Sequence, residues 1–298
     1  MLQRTLPLPY PVDLAGTLAG VQRGTHDLSC TIRDNEVWRA SRAPGGPATV
    51  HLVAHGSTIE AEAWGEGAEA ALDAVPALVG LDDAVDDFQP DHPVIARLWR
   101  DHPGLRIPRS QAVYESLLAV VLEQRVTIFE ARRAHSQLLR TWGEPAPGPG
   151  DLLLPPDPEV LSGVAYYDLH VLGVEKKRAD TIRRVAATAR HLDALAQLPA
   201  AAAAERLTHV VGIGPWTAAE VGLTALGDAD AVPVGDVHFP SDVTYVLTGT
   251  AVDDDEAMLD ALEPFTGHRG RVIRLIQAAG LHAPRRGPRY APRPIAEH

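Results

Sequence analysis

The residues best placed to do chemistry lie between positions 207 and 243, in LTHVVGIGPWTAAEVGLTALGDADAVPVGDVHFPSDV. The front half reads as two helices joined by a hairpin. Gly212 and Gly214 permit backbone conformations that other residues resist and leave nothing in the way of a close approach. Pro215 suits the first turn of the following helix, where an amide would lack a partner in any case. The product is a helix N-terminus whose free amides face outward, which suits a phosphate. After the second helix, residues 230–235 read as an extended segment that delivers Asp236 into the space the hairpin faces. Taken singly, each feature has an ordinary reading. Gly-x-Gly before a helix makes tight turns, and an aspartate after a glycine caps helices and turns.

Stepping outward, residues 27–33, 36–42, 49–53 and 57–64 read as antiparallel strands punctuated by Asp34-Asn35 and by the loop 43–47. A helix over 67–79 completes a small unit, 1–88, in which no pattern suggests chemistry. Beyond the acidic stretch 82–91, helical patterns cover 94–100, 111–126, 130–142, 177–191, 200–210, 217–226, 256–262 and 271–279. Val113, Leu117 and Val121 recur at the spacing of one buried helix face. Proline and glycine in 145–150 make a connector. The expected fold class is α+β: a helical core over 89–298 behind the N-terminal unit. The core is read as two lobes, about 105–210 and 211–285 plus 89–104, with a basic tail 285–298. A cleft between helical lobes is a usual place for a ligand.

Composition bounds the possibilities. No run of about 18 apolar residues predicts a membrane span, and residues 1–12 carry no continuous apolar segment of the secretory kind. The single cysteine, Cys30, excludes an internal disulfide framework, a cysteine-built zinc site and a four-cysteine iron–sulfur cluster. A cytoplasmic, nucleoid-associated protein is therefore expected. Net charge is −12, at first sight wrong for a nucleic-acid partner. Charge is not evenly spread, however: from Gly267 onward seven arginines (269, 271, 274, 285, 286, 289, 293) face one acid, Glu297. Phosphate attraction is local, screened over roughly 10 Å.

GIGPWTA followed by ALGDADAVPVGD resembles the hairpin, Gly/Pro-rich loop and aspartate of the helix-hairpin-helix (HhH-GPD) DNA glycosylase superfamily, and within it the bacterial 3-methyladenine DNA glycosylase II branch. The segments HPGLRIP (102–108), LEQRV (122–126) and GVEKKRA (173–179) are similar to that branch as well, so the likeness spans roughly 90–285. The resemblance implies that Asp236 is the catalytic carboxylate. Breaking an N-glycosidic bond builds oxocarbenium character on the sugar, and a fixed anion stabilises it and can orient or deprotonate the attacking water. Bifunctional relatives carry a Schiff-base lysine where this chain has Trp216, which implies hydrolysis without lyase activity. Trp216, with Gln124 and His268, would line the pocket for an extruded base, where aromatic stacking favours a cationic alkylated purine. His268 stands near a position where the branch has a second tryptophan, which puts lesion preference in doubt.

The same resemblance implies DNA contacts for Gly212, Gly214, Thr217, His238, Arg269 and Lys177, with Arg125 as the wedge that fills the vacated space. Arg271 and the neighbours of Lys177 in the 176–178 cluster are further phosphate contacts on this reading. Carbonyls of Thr208, Val210 and Ile213 match positions that bind a structural Na+ or K+ when DNA is present; no other cofactor is expected. The expected function is removal of alkylated purines from damaged double-stranded DNA by a monomer. Two rivals stand beside it: an oxidised-purine (8-oxoguanine-type) glycosylase, favoured by Asp236-Val237-His238, and a silent binder of distorted DNA.

Overall fold

The computed structural model describes residues 1–284; the basic segment 285–298, with Arg285, Arg286, Arg289 and Arg293, lies outside the described residues. The chain opens with β1 (Leu2–Pro7) and α1 (Leu14–Leu18), then β2 (Cys30–Arg33), β3 (Glu36–Ala43), β4 (Gly46–His55) and β5 (Thr58–Trp64). These strands form one antiparallel sheet in the order β1-β5-β4-β3-β2. Strand alternation decides which face is covered: Ile59, Ala61 and Ala63 are buried with α2 (Ala68–Asp73) and α3 (Val75–Leu78), while Glu60 faces solvent. β1 was not anticipated. As a mostly exposed edge strand it lacks an apolar alternation to read, and its pairing of Leu2 with Ala63 supplies its place in the sheet.

The helical part contains α4 (Pro93–Asp101), α5 (Val113–Glu123) and α6 (Ile128–Trp142), then a minimal hairpin of β6 (Glu144–Pro145) and β7 (Leu153–Leu154). It continues through α7 (Pro158–Gly163), α8 (Tyr166–His170), α9 (Lys176–Ala187), α10 (Ala189–Ala194) and α11 (Ala200–Thr208). The last four helices are α12 (Pro215–Val221), α13 (Phe239–Thr248), α14 (Asp255–Leu262) and α15 (Arg269–Ala278). α5 is buried nearly all round, as its apolar run 117–122 requires. α12 passes into a π-helical turn, Gly222–Leu226, that ends on left-handed Gly227. Among the described residues no helix is long and apolar enough to cross a membrane.

Two apolar clusters divide the helices. One gathers α5, α9 and α11 with Ala218, Val221 and Ala225 of the α12 segment; the other joins α4 to α13, α14 and α15. The hairpin's second helix thus belongs to the first cluster, whereas residues 211–226 were assigned to the second lobe from sequence. Of the ion pairs between the N-terminal unit and the helical part, that of Arg271 with Asp83 is the most deeply buried. Arg271 and Asp83 have side chains 1% and 2% exposed, joined through both guanidinium nitrogens at 2.7 and 2.5 Å. Asp83 also accepts the Ile107 amide, and Arg271 donates to the Ala84 carbonyl and to His268 Nδ1. A buried pair of this kind is costly to halve, because the survivor keeps an uncompensated charge.

The hairpin between α11 and α12 is held from outside. Arg184 on α9 donates to the Val211 carbonyl at 2.5 Å, and Gln124 donates to the Gly212 carbonyl at 3.0 Å and to Thr217 Oγ1 at 2.9 Å. The two glycines serve different ends. Gly212 is left-handed (φ +99°), and a Cβ there would lie 2.1 Å from Thr181 Oγ1. Gly214 is extended (φ −99°, ψ −179°), with open space where a Cβ would go. Only Gly212 is therefore demanded by the fold; Gly214 leaves room for something to approach.

Two outcomes are expected in urea unfolding. Gly212→Ala loses about 2–4 kcal/mol from left-handed strain and the Thr181 clash, while Gly214→Ala loses under about 1 kcal/mol. Arg271→Met loses about 3–5 kcal/mol, and adding Asp83→Ala restores part of that loss.

Candidate active site

The extended run after the π turn sets down Asp236 just before α13, a helix whose weak helix formers (Ser241, Val243, Thr244, Val246) leave no helical pattern in the sequence. Asp236 Oδ1 accepts the amides of His238 at 2.8 Å and Phe239 at 3.1 Å, closing a turn at the entry to that helix. Its other oxygen, Oδ2, accepts Trp216 Nε1–H at 2.9 Å. Both readings of this aspartate hold together: it forms a turn, and it is turned toward the hairpin helix. Asp236 and Trp216 are each half-buried, while Val237, His238, Val211 and Gly214 around them are exposed. The pair therefore lies at a surface that a ligand can reach.

One turn along α12 from Trp216 stands Glu220, which the sequence reading passed over. Burial pushes its carboxyl up to about 7, with Glu123 and Asp236 adding to the rise and Arg274 and Arg23 opposing it. Arg23 comes from the loop after α1 and pairs with Glu123 at 3.3 Å. Burial lowers the Arg274 guanidinium below the ordinary arginine range, with Glu220 pulling it back up. A Cβ on Gly20 would lie 3.2 Å from both terminal nitrogens of Arg274, so the N-terminal unit touches this group directly. Arg23 thus brings the N-terminal unit, in which no sequence pattern suggested chemistry, within electrostatic reach of Glu220. Helical spacing from Trp216 was enough to find Glu220; nothing local points to Arg23, about a hundred residues from its partner.

Several expected residues lie elsewhere. His268 does not face Trp216: it is buried against Phe88 with ring centroids 4.9 Å apart, and its two ring nitrogens meet Asp87 at 3.1 Å and Arg271 at 3.2 Å. It serves the junction and replaces no pocket aromatic. Arg269 is engaged twice over by Asp230, at 2.8 and 2.5 Å. Burial alone would raise Asp230, but the hydrogen bonds from Arg269 and Gly267 outweigh it and hold the carboxyl below its usual range. Arg271 is consumed by Asp83, and Arg178 is buried, donating to the carbonyls of Leu122 and Gly173. Thr217 is 2% exposed and receives Gln124, so its hydroxyl faces inward; Gln124 in turn braces the hairpin.

Arg125 and Lys177 remain exposed. Arg125 is left-handed (φ +57°), which projects the residue from the end of α5 beside exposed Ile128 and Phe129. For the carbonyl site, Val210 accepts the Ile213 amide at 2.9 Å with one lone pair left, and no turn bond ends on the carbonyls of Thr208 or Ile213. These oxygens fit a monovalent cation. No cluster of three or more His, Cys, Asp or Glu suited to a metal occurs among the described residues.

No family model matches the chain. It is 24% identical over 147 residues to a Bacillus subtilis protein described as "Putative DNA-3-methyladenine glycosylase YfjP", a match covering 48% of this chain and 50% of that one. It is 32% identical over 139 residues to the Mycobacterium tuberculosis "Probable bifunctional transcriptional activator/DNA repair enzyme AlkA", covering 45% and 27%. The matched region thus spans half or less of either relative's length. In fold the chain is similar to the 3-methyladenine DNA glycosylase from Archaeoglobus fulgidus, with a TM-score of 0.77 at 19% identity over 93% of this chain and 97% of that one. It is also similar to the Clostridium acetobutylicum 8-oxoguanine glycosylase/lyase solved with DNA, with a TM-score of 0.68 at 15% identity over 93% and 97%. The chain therefore shares the fold of these glycosylases and, over about half its length, resembles 3-methyladenine glycosylase relatives in sequence.

Proposed function

We propose that the protein is a monofunctional glycosylase of the 3-methyladenine II type, acting as a monomer on damaged double-stranded DNA. The observation that carries this is the bond from Trp216 Nε1 to Asp236 Oδ2, which ties an aromatic face to a carboxylate at an exposed hairpin. An alkylated purine swung out of the duplex stacks on the Trp216 ring, where a positive charge on the base gains from the ring quadrupole. Asp236, held by three donors, stabilises the oxocarbenium-like sugar and accepts a proton from the attacking water. The amides at the start of α12 grip a phosphate, with Gly214 leaving room for it. A Na+ or K+ on the carbonyls of Thr208, Val210 and Ile213 would add positive charge there. Arg125 fills the vacated stack, while Lys177 and His238 contact the backbone.

Tryptophan has no amine with which to form a Schiff base, so strand scission is not part of this chemistry. A second reading, excision of an oxidised purine, draws on the likeness in fold to an 8-oxoguanine glycosylase/lyase and on exposed His238 beside Asp236.

Duplexes labelled and bearing 3-methyladenine, hypoxanthine, ethenoadenine or 8-oxoguanine separate these readings. Base release from the alkylated duplex, with nicking only after alkali, is the expected result. Asp236→Asn lowers that release at least about a hundredfold while duplex affinity stays within about threefold. Nicking without alkali supports a lyase, and binding without release supports a silent binder.

A further inference from the structure

Positions four apart share a helix face, so Glu220 stands on the side of α12 that carries Trp216, the residue bonded to Asp236. Charged groups from four other elements face it: Glu123 at the end of α5, Arg274 on α15, Arg23 after α1, and Asp236 before α13. Both cations have other company. Arg23 is paired with Glu123, and Arg274 donates to Gln277 while resting against Gly20. The Glu220 carboxyl makes no hydrogen bond or ion pair among the described residues, although its main-chain carbonyl accepts Thr224 Oγ1. A half-buried carboxyl without a partner, beside a second carboxylate that is fixed by three donors, is a familiar way to divide one site into an acid and an anion.

We propose that Glu220 is the acid of this site, donating its proton to a ring nitrogen of the extruded purine and so admitting neutral purine lesions as well as cationic ones. The inference rests on the glycosylase reading above. As the C1′–N bond breaks, its electron pair moves onto the base, and the Glu220 proton neutralises the ring nitrogen that would otherwise carry negative charge. Water adds to C1′ and passes a proton to Asp236. The products are free base and an abasic sugar; solvent then returns a proton to Glu220 and removes one from Asp236. A base alkylated to a cation leaves without this help, because its departure neutralises it.

The sign of the pH dependence follows. With its carboxyl raised to about 7, Glu220 holds its proton below that pH and loses it above. Single-turnover release of hypoxanthine and of 3-methyladenine from duplex DNA is measured from about pH 5.5 to 8.5, for wild type, Glu220→Gln and Glu220→Asp. Hypoxanthine release by wild type is expected to fall as pH rises through about 7, toward tenfold per unit, with a flatter profile for 3-methyladenine. Glu220→Gln costs hypoxanthine release about a hundredfold more than it costs 3-methyladenine release, and removes the fall. Glu220→Asp keeps a fall, displaced along the pH axis, and carries the test if the glutamine variant does not fold. Equal losses for both bases with an unchanged profile would overturn proton donation. Wild type that releases 3-methyladenine but never hypoxanthine would also overturn it and leave the glycosylase reading standing, whereas release of neither removes both.

Discussion

A single carboxylate, shared between the turn that opens α13 and an indole, fixes the geometry of the site. Asp236 gives one oxygen to two amides at the start of α13 and the other to Trp216. Its orientation is therefore set by two parts of the fold, the α13 cluster on one side and the hairpin helix on the other. Anything that shifts the hairpin shifts Trp216, which explains the bracing around it: Arg184 on Val211, Gln124 on Gly212 and Thr217, and Thr181 pressed under a glycine that tolerates no Cβ. An anion held by donors rather than by a salt bridge keeps its charge available to a bound ligand.

The charge balance of an acidic chain is resolved by where the cations go. Arg271, Arg269 and Arg178 are all spent on internal partners. What faces outward near the hairpin is Arg125 and Lys177, together with apolar Val211, Val237, Ile128 and Phe129. Exposed apolar groups gathered beside a polar site mark an interaction surface, and aromatic or aliphatic side chains are suited to unstacked bases. Burial also explains the contrast between the carboxyls of the site. Glu220, the more deeply buried, lacks donors and rises; Asp230, only partly screened from water, is held low by Arg269.

The hairpin, the aspartate and the antiparallel unit were legible because their signals are local: glycine and proline at fixed offsets, period-two alternation, and an apolar stripe on α5. The edge strand β1 was not, since an exposed strand shows no alternation. Nor was α13, whose weak helix formers Ser241, Val243, Thr244 and Val246 leave no helical pattern to read. His268, Arg269 and Arg271 misled for one reason. Composition shows a basic cluster but not that Asp87, Asp230 and Asp83 arrive to neutralise it. The acidic stretch that looked like a boundary is the counter-charge for α15. Glu220 could have been found by counting four residues on from Trp216, while Arg23, Glu123 and Arg274 meet it only through tertiary folding.

The dependence of the chemistry on the Trp216–Asp236 bond is tested most directly by Trp216→Phe, which keeps an aromatic face for the base and removes the N–H. Under single-turnover conditions with a 3-methyladenine duplex, the rate of base release is expected to fall about tenfold or more, the worth of a hydrogen bond to a charged group, with duplex affinity nearly preserved. A rate equal to wild type would contradict the idea that the indole positions the carboxylate.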